Sequence, residues 1–258
     1  NHKINASAAL LTAALSTNVY ASPTQVEGAA GGGLTPWAML SEGKPTGSVT
    51  WVDTGDFNLT SLAINSTIMD RIELSYARQS LDVAGQHAAG VVRSLRHTDG
   101  TINVDVFGAK FKLMDMADNL PQLAAGIQYK RTDLDKGVLN AIGSGDNSGT
   151  DVYLAATKVF DIGGKNLLLN GTLRGTKANQ IGILGFGGSG AGNDDKYSLQ
   201  FEGSAGLFAT SNTVFGVEYR TKPDNLSGFR ENNWWDVFVA YMPSKHWSIV
   251  GAYVNLGN

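Results

Sequence analysis

Hydrophobic residues in this chain fall on every second position over most of its length. The clearest case starts at Tyr197: Tyr197, Leu199, Phe201, Ala205 and Leu207 share one face, while Lys196, Ser198, Gln200, Glu202 and Ser204 share the other. A period of two marks a strand with one apolar and one polar side. The alternation sets Phe215, Val217 and Tyr219 against Gly216, Glu218 and Arg220, then Trp235, Val237, Val239 and Tyr241 against Trp234, Asp236, Phe238 and Ala240. It continues through Trp247, Ile249 and Tyr253. Earlier, Ile72, Leu74 and Tyr76 alternate with Glu73, Ser75 and Ala77, and Leu123, Ala125, Ile127 and Tyr129 with Ala124, Gly126, Gln128 and Lys130.

The pattern predicts strands near 47–53, 57–64, 69–79, 103–113, 122–130, 151–160, 166–174, 196–208, 213–221, 234–242 and 246–255. Most approach the roughly 9 to 11 residues that a tilted strand needs to cross a bilayer. Connections alternate in length. Those at 66–67, 115–121, 161–165, 209–212 and 243–245 are short, and those at 81–102, 131–150, 176–195 and 222–233 are long, with only the turn at 53–56 out of step. Short periplasmic turns and long external loops give this asymmetry in an outer-membrane barrel. Beyond the amino-terminal segment no stretch approaches 18 consecutive apolar residues, so a membrane-spanning form must be a closed antiparallel up-and-down β-barrel, which pairs every backbone amide.

A soluble β-sandwich also alternates, but the polar face here is strongly charged. Glu73, Lys110, Lys112, Lys130, Arg174, Lys196, Glu202, Glu218 and Arg220 would face a lumen, joined by Trp234 and Asp236, where water or opposite charges satisfy them. Adjacent strand residues point opposite ways, so Trp235 faces lipid, and Trp234 is either a constriction or packing at the rim. Tyr219, Trp235, Tyr241 and Trp247 sit toward strand ends, as in an interfacial girdle.

Eleven strands is an odd number, whereas single-chain bacterial barrels use even ones, about 12 for this length. The missing strand is expected beyond Asn258 or, less favoured, within Gly33–Leu40. Residues 1–21 have the layout of a secretory signal peptide: Lys3, an apolar run from Ala8 to Leu15 and a small-residue exit at Ala21. Residues 22–46, with Gly31-Gly32-Gly33 before Pro36-Trp37, read as a segment either leading through the periplasm or tucked into the lumen, and 47–258 as the barrel.

Composition narrows the function. The absence of cysteine removes disulfides and thiolate metal sites. A net charge of -3 argues against nucleic acid as a partner. Gly185-Phe186-Gly187-Gly188-Ser189-Gly190 matches GxGxxG, but Gly, Ser, Asn and Asp continue through Asp195 where a dinucleotide site needs a helix, so it reads as a flexible loop. Asn170-Gly171-Thr172 is a chance glycosylation match in a strand. A hydrolase would need His87 or His97, which share one long loop, whereas His246 lies at a turn on the opposite side.

Whole blocks carry a resemblance: Glu27 to Leu34 with Pro36-Trp37, Arg71 to Arg78, Asn166 to Gly188, and Glu218 to Ser227 followed by Trp234 to Phe238. Together they resemble a proteobacterial family of outer-membrane proteins classed only as a domain of unknown function. The resemblance implies an exported barrel and brings no activity or functional residues. The expected function is a passive channel or uptake porin for small solutes in outer-membrane lipid, with no enzyme activity and no cofactor. The alternative is a plugged structural or surface-interaction barrel.

Overall fold

The computed structural model describes residues 7–15 as backbone and 23–54, 57–83, 100–244 and 247–257 in full. His87, His97 and His246 lie outside the described residues. Twelve strands form a closed antiparallel barrel: β1 (Ser7–Leu15), β2 (Thr46–Asp53), β3 (Asn58–Ile68), β4 (Ile72–Asp82), β5 (Thr101–Met114), β6 (Gln122–Thr132), β8 (Ser148–Ile162), β9 (Lys165–Thr176), β11 (Ser198–Thr210), β12 (Thr213–Arg220), β13 (Trp234–Ser244) and β14 (Trp247–Asn255). Each pairs with the next barrel strand, and β14 returns to β1, pairing Ser7 with Asn255 and Leu15 with Trp247.

All eleven strands read from the alternation are present. The twelfth is Ser7–Leu15, within the stretch that the sequence suggests as a leader, and not Gly33–Leu40 or a strand beyond Asn258. Residues 33–40 contain no strand; they run through the lumen. The hairpin at one end between β8 and β9 needs only Gly163-Gly164, both with positive φ, 61° and 82°. A two-residue primed turn has that requirement, and its twist matches the flanking strands.

Two of the long loops have structure of their own. Residues 133–147 hold helix α1 (Lys136–Ile142) and β7 (Ser144–Asp146). Asp135 caps the helix by accepting from the Val138 N–H at 2.9 Å, and Gly143, at φ 78°, ends it. The Gly-rich run at 185–190 contributes β10 (Phe186–Gly188), which pairs with β7. It is thus a loop, as expected, but one that packs: Phe186 is fully buried.

The barrel is inside-out relative to a water-soluble protein. Leu199, Phe201, Phe215, Val217, Val237, Val239, Ile249 and their neighbours stand exposed on the outer wall, with Tyr219, Trp235, Tyr241 and Trp247 also outward. Charged and polar side chains are buried within. A continuous apolar exterior of this extent is unfavourable in water and favourable in hydrocarbon.

Candidate functional site

The lumen is filled by residues 23–45, which enter from the short-turn end and leave there into β2. Thr46 opens β2 opposite Asn65 of β3, and Ser41 bonds Thr67 of β3, Oγ to Oγ1 at 3.2 Å. Barrel side chains hold this segment chiefly by its backbone, so the wall reads its shape more than its side chains.

A lower tier lies near the short turns. Lys110 Nζ donates to the carbonyls of Ala30 at 2.9 Å, Trp37 at 3.1 Å and Met39 at 2.8 Å, and pairs with Glu73 Oε1 at 3.2 Å. Glu73 in turn accepts from the Ala30 N–H at 3.0 Å and the Ser41 N–H at 2.6 Å. Both side chains are buried, and the pair is tolerable in that setting only because nearly every remaining lone pair and proton finds a partner. Nearby, Thr157 Oγ1 accepts from the Ala38 N–H at 2.8 Å, and Thr172 Oγ1 donates to Pro36 O at 2.9 Å.

An upper tier lies toward the long loops. Glu27, on the inserted segment, pairs with Lys130 and accepts from Arg220 Nη1 at 2.7 Å. Lys130 also pairs with Asp151 at 2.6 Å, and Arg174 bridges Glu202 at 2.5 Å and Asp151 at 3.3 Å. The Arg174 guanidinium stands 5.0 Å over the Tyr153 ring, a cation–π contact. Val26 O accepts from Ser61 Oγ at 2.7 Å and Gln79 Nε2 at 3.1 Å, and Asn65 donates to Gly28 O at 2.9 Å.

On the opposite wall Glu218 accepts from the Leu34 N–H at 2.8 Å, Thr35 Oγ1 at 2.7 Å and Ser204 Oγ at 3.0 Å. A Cβ on Gly32 would lie 1.9 Å from Glu218 Oε1, so glycine is required for that approach. Asp236 sits directly across from Glu218 in the β12–β13 register, with both carboxylate oxygens buried and lacking a protein donor. Two adjacent carboxylates in a dry site repel each other.

The long loops close the other end. Lys222 Nζ pairs with Glu231 at 2.6 Å, donates to Gln180 Oε1 at 2.5 Å and lies 3.9 Å over the Trp234 ring. Burial pushes this ammonium down to about 8, with Glu231 opposing the shift. The Gln180 N–H donates to Glu231 Oε1 at 2.8 Å, and Asn225 Nδ2 donates to Asn179 Oδ1 at 2.9 Å. Gln180 and Ile181 both have positive φ, 46° and 58°, unusual for residues with side chains. Two small voids, one against the segment beside Trp37 and Phe238 and one under the loops beside Arg220 and Lys222, are about 10 Å³ each, room for about one water.

The profile of a family described as "Protein of unknown function (DUF3034)" matches residues 21–258. The chain belongs to this family. Among solved structures, the "COG4313 outer membrane channel from Pseudomonas putida F1" is similar over 99% of this chain and 96% of that one, at 11% identity and a TM-score of 0.39. No curated protein matches.

Of the residues singled out from sequence, Glu73, Lys110, Lys130, Arg174, Glu202, Glu218, Arg220, Trp234 and Asp236 are buried inside, and all but Asp236 take part in the networks above, Trp234 through its contact with Lys222. Lys112 sits at the rim, paired with Asp115 at 2.5 Å. Lys196 is not in the lumen: β11 begins at Ser198, and Lys196 is an exposed loop residue whose N–H donates to Asp194 at 2.9 Å. Alternation carried two residues past the strand put it on the wrong side. Sequence reasoning did not single out Glu27, Asp151 or Lys222. Asp151 shares the parity of Tyr153 and could have been found by it; Glu27 lies where no period operates.

Proposed function

We propose that this protein spans the outer membrane of a Gram-negative bacterium as a channel-type barrel held shut by residues 23–45, and that passage of small solutes requires this segment to shift. The observation that carries the reading is how much of the hold on the segment is polar: beside the packing of Val26, Leu34 and Ala38 against the wall, hydrogen bonds to its carbonyls and amides and one carboxylate keep it in place, and these can be exchanged for water. The loss of apolar packing, by contrast, is not offset by water. Export through a leader cut after Ala21 belongs to the same reading. Such a cut would remove β1 and leave β2 and β14 to pair otherwise, and the intact mass of protein recovered from outer membranes checks it.

Planar-bilayer recording on the full chain, refolded in detergent and verified by heat-modifiable mobility, tests the reading. Rare stepwise openings are expected, becoming frequent when a lumen anchor such as Lys110 is replaced. A folded barrel that stays silent in both forms would support instead a plugged structural barrel, which the tightness of the filled lumen favours as the second reading.

A further inference from the structure

The upper tier carries a charge imbalance on its wall. Lys130, Arg174 and Arg220 face only Asp151 and Glu202, and all five are buried. The third negative charge comes from the inserted segment. Glu27 is fully buried; its Oε1 pairs with Lys130, and its Oε2 accepts from Arg220 Nη1 at 2.7 Å, accepts from Gln25 Nε2 at 2.7 Å and stands 3.8 Å from Arg174 Nη2. A buried cation without a partner is strongly destabilising. The wall is therefore one anion short without Glu27.

The cations are also aimed. Arg220 turns its Nε toward Glu202 at 3.3 Å, leaving Nη1 for Glu27 and for Leu34 O at 3.1 Å. Arg174 is fixed by Glu202 through Nε and by Gln128 through Nη1 at 2.7 Å. Lys130 is set against Asp151. These contacts leave one position where a planar, two-oxygen anion meets a different cation at each oxygen, the geometry in which charge-assisted hydrogen bonds are strongest. Glu218 is taken up by Leu34, Thr35 and Ser204, and neither it nor Asp236 forms an ion pair with these cations.

We propose that Lys130, Arg174 and Arg220 form a carboxylate-binding site in the lumen wall, and that Glu27 occupies it as a built-in surrogate for the carboxylate of a small anionic solute. The solute class rests on the gated-conduit reading above; the site does not. When the segment moves, the vacated position attracts a carboxylate from solution, which lowers the cost of opening and favours anionic cargo.

Chemical rescue tests the site. Glu27→Ala removes the carboxylate and leaves room for acetate. Its unfolding temperature in detergent is measured with sodium acetate, with sodium chloride at equal ionic strength and with acetamide, which has the same shape without the charge. Acetate is expected to raise it by several degrees over both controls, and Arg220→Ala in the same background to abolish the gain. Should Glu27→Ala refold poorly, the comparison is read as recovery of the compact, heat-modifiable band, again with acetate against acetamide and chloride. Acetate acting no better than chloride in either format overturns the site. Bilayer recording of the same variant separates the two proposals: rescue without conductance leaves the site standing and sinks the conduit, and conductance without rescue does the reverse.

Discussion

Replacing Lys110 by Met should unseat the inserted segment while leaving the barrel folded. The substitution keeps most of the side-chain volume but removes one charge and its donors. It orphans the carbonyls of Ala30, Trp37 and Met39 and leaves Glu73 buried without its cation. Breaking a buried ion pair by removing one partner costs about 3–5 kcal/mol. All three carbonyls belong to residues 23–45, and once the segment leaves, water reaches both them and Glu73. The penalty therefore falls on the seated state alone, and at 1.4 kcal/mol per tenfold the unseated population rises by roughly 10²-fold to a few thousand-fold. The chain has no cysteine, so a single Ala38→Cys, at a fully buried position, can report unseating by its rate of labelling with a soluble maleimide. Where opening is fast relative to labelling, the rate follows the open population. Adding Glu73→Gln removes the stranded charge and should restore most of the protection. Labelling within a few-fold of the Lys110 parent, in a barrel that still shifts on heating, would refute the assignment of Lys110 as the anchor.

Three further outcomes follow from the geometry. Gly31→Ala would place a Cβ 2.2 Å from the Thr35 carbonyl and 2.8 Å from Pro36 Cα, a backbone clash expected to cost about 1–3 kcal/mol and to accelerate Ala38→Cys labelling with little effect on the barrel's mobility shift. Asp236→Asn supplies a donor to Glu218 where two acceptors now meet, so the unfolding temperature should hold or rise; a drop of several degrees would contradict the repulsion between the two carboxylates. Because burial pushes Lys222 down to about 8, the folded state binds fewer protons than the unfolded one from there up to the ordinary lysine range near 10.5. Stability must rise with pH across that window and gain nothing from this group below it. The unfolding temperature of the parent should thus climb relative to Lys222→Met above pH 8, and a difference independent of pH between 7 and 10 would remove the titration.

Much of the fold was legible because a wall between hydrocarbon and a polar lumen writes itself into the sequence as strict alternation. Val217, Tyr219, Val237 and Val239 face out and Glu218, Arg220 and Asp236 face in, as the parity requires. What lacked parity was hidden. Ser7–Leu15, Ser-Ala-Ala-Leu-Leu-Thr-Ala-Ala-Leu, is a nearly continuous apolar run, and periodicity cannot tell such a run in a strand from one in a leader. Residues 23–45 have no regular period, because they are shaped by bonds to a surrounding wall more than by their own secondary structure. Helix α1 has only seven residues, with a glycine in its first turn, too little for a helical period to show. The site was half visible: the wall cations could be read by counting faces, but their partner Glu27 lies 103 residues from Lys130 and 193 from Arg220, a pairing that only the closed barrel creates.

That pairing also bears on how the barrel is assembled. A one-residue slip of β12 against its neighbours would turn Glu218 and Arg220 outward and bring Val217 and Tyr219 inside. Charged side chains facing lipid are destabilising by an amount that grows with depth, and Glu27 would lose its clamp. The same charges that hold the segment thus also favour one strand register. Misaligned strands fail to seat the segment.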